Sequence, residues 1–146
     1  MTVTGTSLEI ATLRSAFLSG AISAAQLAEQ VLARIARSND PAIWISRSSE
    51  GNVRARARQL DGEAAADPTA ITRLPLFGIP FAVKDNIDVA GVPTTAGCPA
   101  FTYTPAETAP VVARLLAAPA HRDAALLDLV TRFQEIGGLP LGAAAV

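Results

Sequence analysis

The sequence predicts an α/β or α+β domain on three observations. Capped amphipathic helices open the chain, short apolar strand candidates follow, and helical spacing returns near the end. Thr6-Ser7-Leu8-Glu9 has the S/T-x-x-E form, in which the Thr6 hydroxyl and the Glu9 carboxylate satisfy orphan amides reciprocally. Ile10, Leu13, Phe17 and Leu18 then supply an apolar stripe, and Gly20 is placed for a left-handed stop. Ser23-Ala24-Ala25-Gln26 repeats the box and opens a second helix through Leu27, Val31, Leu32 and Ile35, which Asn39-Asp40-Pro41 ends. Ile43-Trp44-Ile45 reads as a short strand with Trp44 in the core. Val53 to about Ala66 reads as an arginine-rich helix, and Asp67 to Leu74 as a surface loop.

The middle of the chain has a different texture. Phe81-Ala82-Val83 is a brief strand, and Asn86-Ile87-Asp88-Val89 alternates polar and apolar until Ala90-Gly91 turns the chain. Val92 to Pro99 holds too much proline and glycine for regular structure, and such irregular backbone is common where a loop lines a site. From Glu107 a helix returns, with Pro110 tolerated in its first turn and Pro119 as its stop. A last helix from about Asp123 would carry Leu126, Leu129, Val130, Phe133 and Ile136, closed by Gly137-Gly138. No internal repeat is visible.

Composition narrows the function classes. The chain has 146 residues, enough for one domain that could bury about 68–70% of its unfolded surface. Half the residues are hydrophobic and mean hydropathy is +0.33, apolar for so small a domain, which fits a piece of a larger core. A net charge of −1 offers no electrostatic footprint for nucleic acid or an anionic membrane. Arg54, Arg56 and Arg58 form the one basic cluster and read as a solvated helix face rather than a phosphate site. Cys98 is the only cysteine and His121 the only histidine, so neither a disulfide framework nor a Cys/His metal cage is expected. No secretory leader or membrane-spanning run is evident, which points to the cytoplasm.

One residue stands apart. Lys84 is the only lysine; every other basic side chain, His121 aside, is an arginine. Arginine keeps its proton near neutral pH, whereas a desolvated lysine can release it. Lys84 follows apolar Phe81 and Val83, whose burial disfavours the ammonium form, so it is a candidate general base. The competing reading is a solvated lysine without a role. Asp85 would oppose proton release if its carboxylate faced the amine. Strand neighbours point to opposite sides, so Asp85 is expected to anchor the loop that follows.

The run Gly78-Ile79-Pro80-Phe81-Ala82-Val83-Lys84-Asp85-Asn86, followed by Gly91-Val92-Pro93-Thr94-Thr95-Ala96-Gly97, resembles the amidase signature family. The wording through Cys98-Pro99-Ala100-Phe101 and Ala109-Pro110-Val111-Val112-Ala113-Arg114-Leu115 is most similar to allophanate hydrolases, which finish urea breakdown. The resemblance spans residues 75 to 116 and implies a partial amidase-signature α/β fold, with helices packed on an incomplete mixed sheet. It also implies a Ser-Ser-Lys triad whose lysine maps onto Lys84, hydrolysis of a small allophanate-like amide, and no cofactor.

The serines do not fit that triad. The family places both of them after the lysine, in and before a glycine-rich stretch. Here all eight serines (Ser7, Ser15, Ser19, Ser23, Ser38, Ser46, Ser48 and Ser49) precede Lys84. A base with no hydroxyl to deprotonate forms no acyl-enzyme, and the missing glycine-rich stretch removes the expected oxyanion amides. Thr94, Thr95 and Cys98 are weaker substitutes. The threonines are expected to bond backbone groups, and Cys98 to be a small buried hydrophobe. His121, just after Pro119 at an expected helix start, is a poor candidate base.

Past Leu115 the family continues through an alanine-glycine turn into another strand. This chain instead reads Ala117-Ala118-Pro119-Ala120-His121-Arg122-Asp123, and with Leu139-Pro140-Leu141-Gly142-Ala143 it looks like the end of the allophanate hydrolase amidase domain. The expectation is one partial domain over 1–146, made of an N-terminal part (1–116) joined to a C-terminal helical segment (117–146), without the catalytic middle. Such a chain would be inactive alone. The alternative is a non-catalytic partner that docks on another chain, or a homo-oligomer, because missing strands would leave an open sheet edge.

Overall fold

Helix α1 (Ile10–Leu18) begins directly after Glu9, which makes Glu9 its cap rather than a first-turn residue. In the computed structural model, which describes residues 7–37, 43–117 and 132–133, the Glu9 carboxylate accepts the Thr12 hydroxyl at 3.1 Å. The Glu9 amide donates to Ser7 Oγ at 3.3 Å. The reciprocal box expected at Thr6 and Glu9 is therefore replaced on the Glu9 side, and Thr6 lies outside the described residues. The stop is as expected: Gly20 takes φ +70°, its amide donates to Phe17 O at 3.1 Å, and the Ala21 amide to Ala16 O at 2.9 Å. That pair of bonds is the Schellman closure.

Helix α2 (Ala24–Arg37) opens on the box read from the sequence. Ser23 N–H donates to Gln26 Oε1 at 2.9 Å, and Gln26 N–H to Ser23 Oγ at 3.2 Å. Two further free amides, those of Ala24 and Ala25, donate to the Asp61 carboxylate at 2.7 and 3.1 Å. Asp61 belongs to α3 (Glu50–Ala66), whose own start is capped by Ser49 Oγ accepting Asn52 N–H at 3.2 Å. That cap moves the helix start ahead of the expected Val53.

The two long helices face each other with Leu27, Val31, Leu32 and Ile35 on one and Val53, Ala57 and Leu60 on the other, all buried. Their rim is ionic. Arg54 Nε and Nη2 fork onto Glu29 at 2.7 and 3.1 Å, while Nη1 reaches Glu50 at 2.8 Å. Arg56 pairs with Glu63 at 3.3 Å, and Arg58 is exposed, so the arginine cluster is a solvated face. The expected loop over Asp67–Leu74 contains a helical turn, α4 (Ala70–Arg73), with Ala70 and Leu74 buried. Asp67 closes it by accepting from the Thr69 amide and hydroxyl and by pairing with Arg73 at 3.1 Å.

Three short strands complete the described residues: β1 (Trp44–Ser46), β2 (Val83–Lys84) and β3 (Arg132–Phe133). Their order is β1-β3-β2, with β3 antiparallel to β1 and parallel to β2, so the sheet is mixed. Phe133 pairs by Cα with Trp44 on one side and Lys84 on the other, and Arg132 with Ser46 and Val83. Trp44 packs against the helical core. The strand expected over Phe81–Val83 is shifted to Val83–Lys84.

The helix expected from about Asp123 differs at the two described residues of that stretch, because Arg132 and Phe133 lie in β3. Backbone pairing to a strand on either side outweighs the helical spacing there. The rest of that expected helix, and the Pro119 stop, lie outside the described residues. Helix α5 (Pro110–Ala117) starts at Pro110 rather than at the expected Glu107, and the proline, with no N–H to leave unsatisfied, takes the first position. Among the described residues no helix is long and apolar enough to cross a membrane.

Candidate functional site

The site is built where the helical core hands over to β2. Phe77 and Ile79 end the large core cluster, and Gly78 between them turns with φ +66°. Phe17 and Phe77 meet edge to face at 5.5 Å, which fixes where the strand starts. Val83 is buried in a second, small cluster with Val89 and Val112, against which Phe81, Ile87 and Val92 pack. Lys84 is half-buried at the end of β2, with apolar Val83 before it. Its carbonyl accepts the Ile87 amide at 3.0 Å, so the chain turns immediately after it.

Asp85 sits in that turn and is only 2% exposed. Its carboxylate accepts the Thr95 amide at 3.2 Å, the Thr95 hydroxyl, and the Gly97 amide at 3.2 Å. Its backbone carbonyl accepts the Ala96 amide at 3.1 Å. The residue after Lys84 is thus held at both ends by Thr95, Ala96 and Gly97, as the strand argument for a loop anchor expects. Ala96 is held in the left-handed region at φ 51°, which is unfavourable for a residue with a Cβ.

A second carboxylate works beside the first. Asp88 Oδ1 accepts the Thr94 hydroxyl at 2.9 Å and the Tyr103 hydroxyl at 2.7 Å. Thr94 and Tyr103 also pair through their backbones at 2.8 and 3.1 Å. The Asp88 carbonyl takes the Ala109 amide at 2.9 Å, which ties the loop to the start of α5. Sequence reasoning passed over Asp88 and Tyr103. The signal for Asp88 was its spacing from Asp85 ahead of a Thr-Thr pair, and Tyr103 had none nearby.

Both threonine hydroxyls donate to carboxylates; Thr95 Oγ1 also accepts the Gly97 amide at 3.1 Å, the kind of backbone bond expected, and Thr94 is only 1% exposed. Thr94 is thereby closed off from a substrate, and Thr95 Oγ1 is already occupied on both its donor and its acceptor side. Cys98 is exposed, which corrects the expected buried position, and its amide closes the turn onto Thr95 O at 2.9 Å. His121 lies outside the described residues.

Of the described serines, Ser23 and Ser49 cap helices and Ser19 Oγ donates to the Ala16 carbonyl at 3.1 Å. Ser46 is on β1, and β3 lies between it and β2. Two strand spacings put its backbone roughly 9–10 Å from that of β2, far beyond the ~3 Å of a proton transfer. No group of three or more His, Cys, Asp or Glu side chains that could hold a metal ion occurs among the described residues.

A lysine closing a strand of a mixed sheet, followed by an acid that pins a Thr-Thr-Ala-Gly turn, defines an α/β protein of the amidase-signature class. The chain belongs to the amidase family, whose model matches residues 26–122.

It is 49% identical over 76 residues to a urea amidolyase of Lachancea kluyveri, a match that covers 52% of this chain and 4% of that one. Its structure is similar to Kluyveromyces lactis allophanate hydrolase, with TM-score 0.52 and 31% identity over 81% of this chain and 18% of the other. It is also similar to a peptide amidase from Stenotrophomonas maltophilia, with TM-score 0.63 and 28% identity over 86% of this chain and 24% of the other. The chain thus spans under a quarter of each relative's length.

Proposed function

We propose that this is an allophanate-hydrolase-like chain that carries the lysine arm of an amidase site and does not hydrolyse an amide bond by itself. Lys84 is the base in this reading, the substrate a small allophanate-like amide, and the chemistry runs on side chains without a cofactor. The observation that carries it is the serine inventory: all eight serines precede Lys84, and the hydroxyls bonded to Asp85 and Asp88 in the turn after it belong to threonines and Tyr103. Similarity to a urea amidolyase and an allophanate hydrolase supports the substrate class. In this reading the N-terminal part joins the last segment near Leu116 to Pro119, and the family's nucleophile region has no counterpart between them. Incubation of the pure chain with a fluorophosphonate probe tests it. No covalent adduct is expected, and stoichiometric labelling of any hydroxyl would overturn the reading.

A second reading, a complementing chain that docks on another protein, is favoured by apolar side chains left in solvent. Ile10 and Leu18 on α1 are 50% and 53% exposed, and Phe101 and Val111 are 58% and 56% exposed. Isolated exposed apolar residues are ordinary, but several large ones on a domain this small favour a covered surface. Sedimentation decides: self-association or a complex supports it, and a monodisperse monomer that unfolds cooperatively contradicts it.

A further inference from the structure

We infer that Asp85 and Thr95 are a positioning pair for Lys84, an inference that rests on the reading of Lys84 as the base of this site. A base has to be held in one orientation and kept dry, and a two-residue strand is too short to do that alone. The peptide that joins Lys84 to Asp85 is fixed instead by the turn beside it. Asp85 receives the Thr95 amide and hydroxyl and the Gly97 amide on its carboxylate, and the Ala96 amide on its carbonyl. Gly97 N–H also lies 3.1 Å from Thr95 Oγ1, so the hydroxyl is both donor to the acid and acceptor within the turn.

This clamp carries a cost that a merely decorative loop would not retain. Ala96 is held at φ 51°, the one positive φ among described non-glycine residues. Burial of the carboxylate at 2% exposure leaves its charge dependent on these donors. Removing the Thr95 hydroxyl keeps the Asp85 side chain in place with two backbone amides still on its carboxylate, a milder change than replacing the acid.

Because Lys84 is the only lysine, its reaction with an amine-reactive acetyl ester can be read without interference from another side chain. The N-terminal amine serves as the internal reference. The experiment measures the pH midpoint of Lys84 acetylation by mass spectrometry, alongside hydrogen exchange of the Ala96 and Gly97 amides. For Thr95→Val the turn amides should exchange roughly fivefold faster, the loss of one net hydrogen bond. The Lys84 acetylation midpoint should move from its wild-type position. Thr95→Ser should restore both.

Gly97→Ala, which keeps every donor but strains a φ of +73°, should move the midpoint the same way. It serves if the valine variant does not fold, as unprotected amides at Leu27 and Leu60 would reveal. An unmoved midpoint in the folded variants, with or without faster turn exchange, overturns the positioning role. A folded wild type in which Lys84 is acetylated as fast as in the urea-unfolded chain overturns the reading of Lys84 as the base, so the two failures are distinguishable.

Discussion

Phe17 lies against Gly78 so closely that a Cβ on the glycine would come within 2.6 Å of the ring carbon Cζ. Gly78 also holds φ +66°, so both the space and the backbone exclude a side chain. This contact joins the first helix to the segment that leads into β2 and Lys84. Gly78→Ala should therefore cost about 2–4 kcal/mol, combining left-handed strain with overpacking. Urea denaturation would measure it. Adding Phe17→Leu should recover part of the loss, so the two changes should be less than additive.

Asp61 supplies a cap that local sequence does not. Its carboxylate takes the Ala24 and Ala25 amides at the start of α2, from a position 36 to 37 residues away. Asp61→Ala should destabilise the chain by about 1–2 kcal/mol, the range for a lost N-cap with its favourable charge. Thermal melts should show the larger loss for Asp61→Ala than for Ser23→Ala. Equal losses would mean the long-range cap adds nothing beyond the local box.

The Glu29–Arg54 fork sets an acid limit on stability. Hydrogen bonding from Arg54, aided by its charge, holds the Glu29 carboxyl below the ordinary carboxylate range. The folded state therefore binds fewer protons than the unfolded state between the two values. This contribution is fully present above the unfolded pKa and is lost as pH falls through the folded one. The pair is exposed, so the effect is modest and falls with added salt. Melting temperatures over the acid range should decline less steeply for Glu29→Gln than for the wild type. Parallel declines would show that the fork is energetically silent.

The parts of the fold legible in the sequence were those written in local chemistry. The Ser23–Gln26 box and the Gly20 stop each act within a turn, and each stands where the residues put it. Asp85 was legible as a loop anchor for a different reason, because strand alternation turns it away from Lys84. Long-range relationships were not. Nothing near Ala24 announces Asp61, and nothing near Asp88 announces Tyr103, 15 residues on. Phe133 sits at helical spacing with its neighbours yet lies in a strand, because Trp44 and Lys84 flank it from distant parts of the chain.

Release of ammonia from allophanate by the pure chain, read against Lys84→Ala, tests the central claim most directly. The account predicts that the wild type and the alanine variant both match the buffer blank, because the lysine has no serine to activate. Sustained release by the wild type that Lys84→Ala abolishes would contradict it.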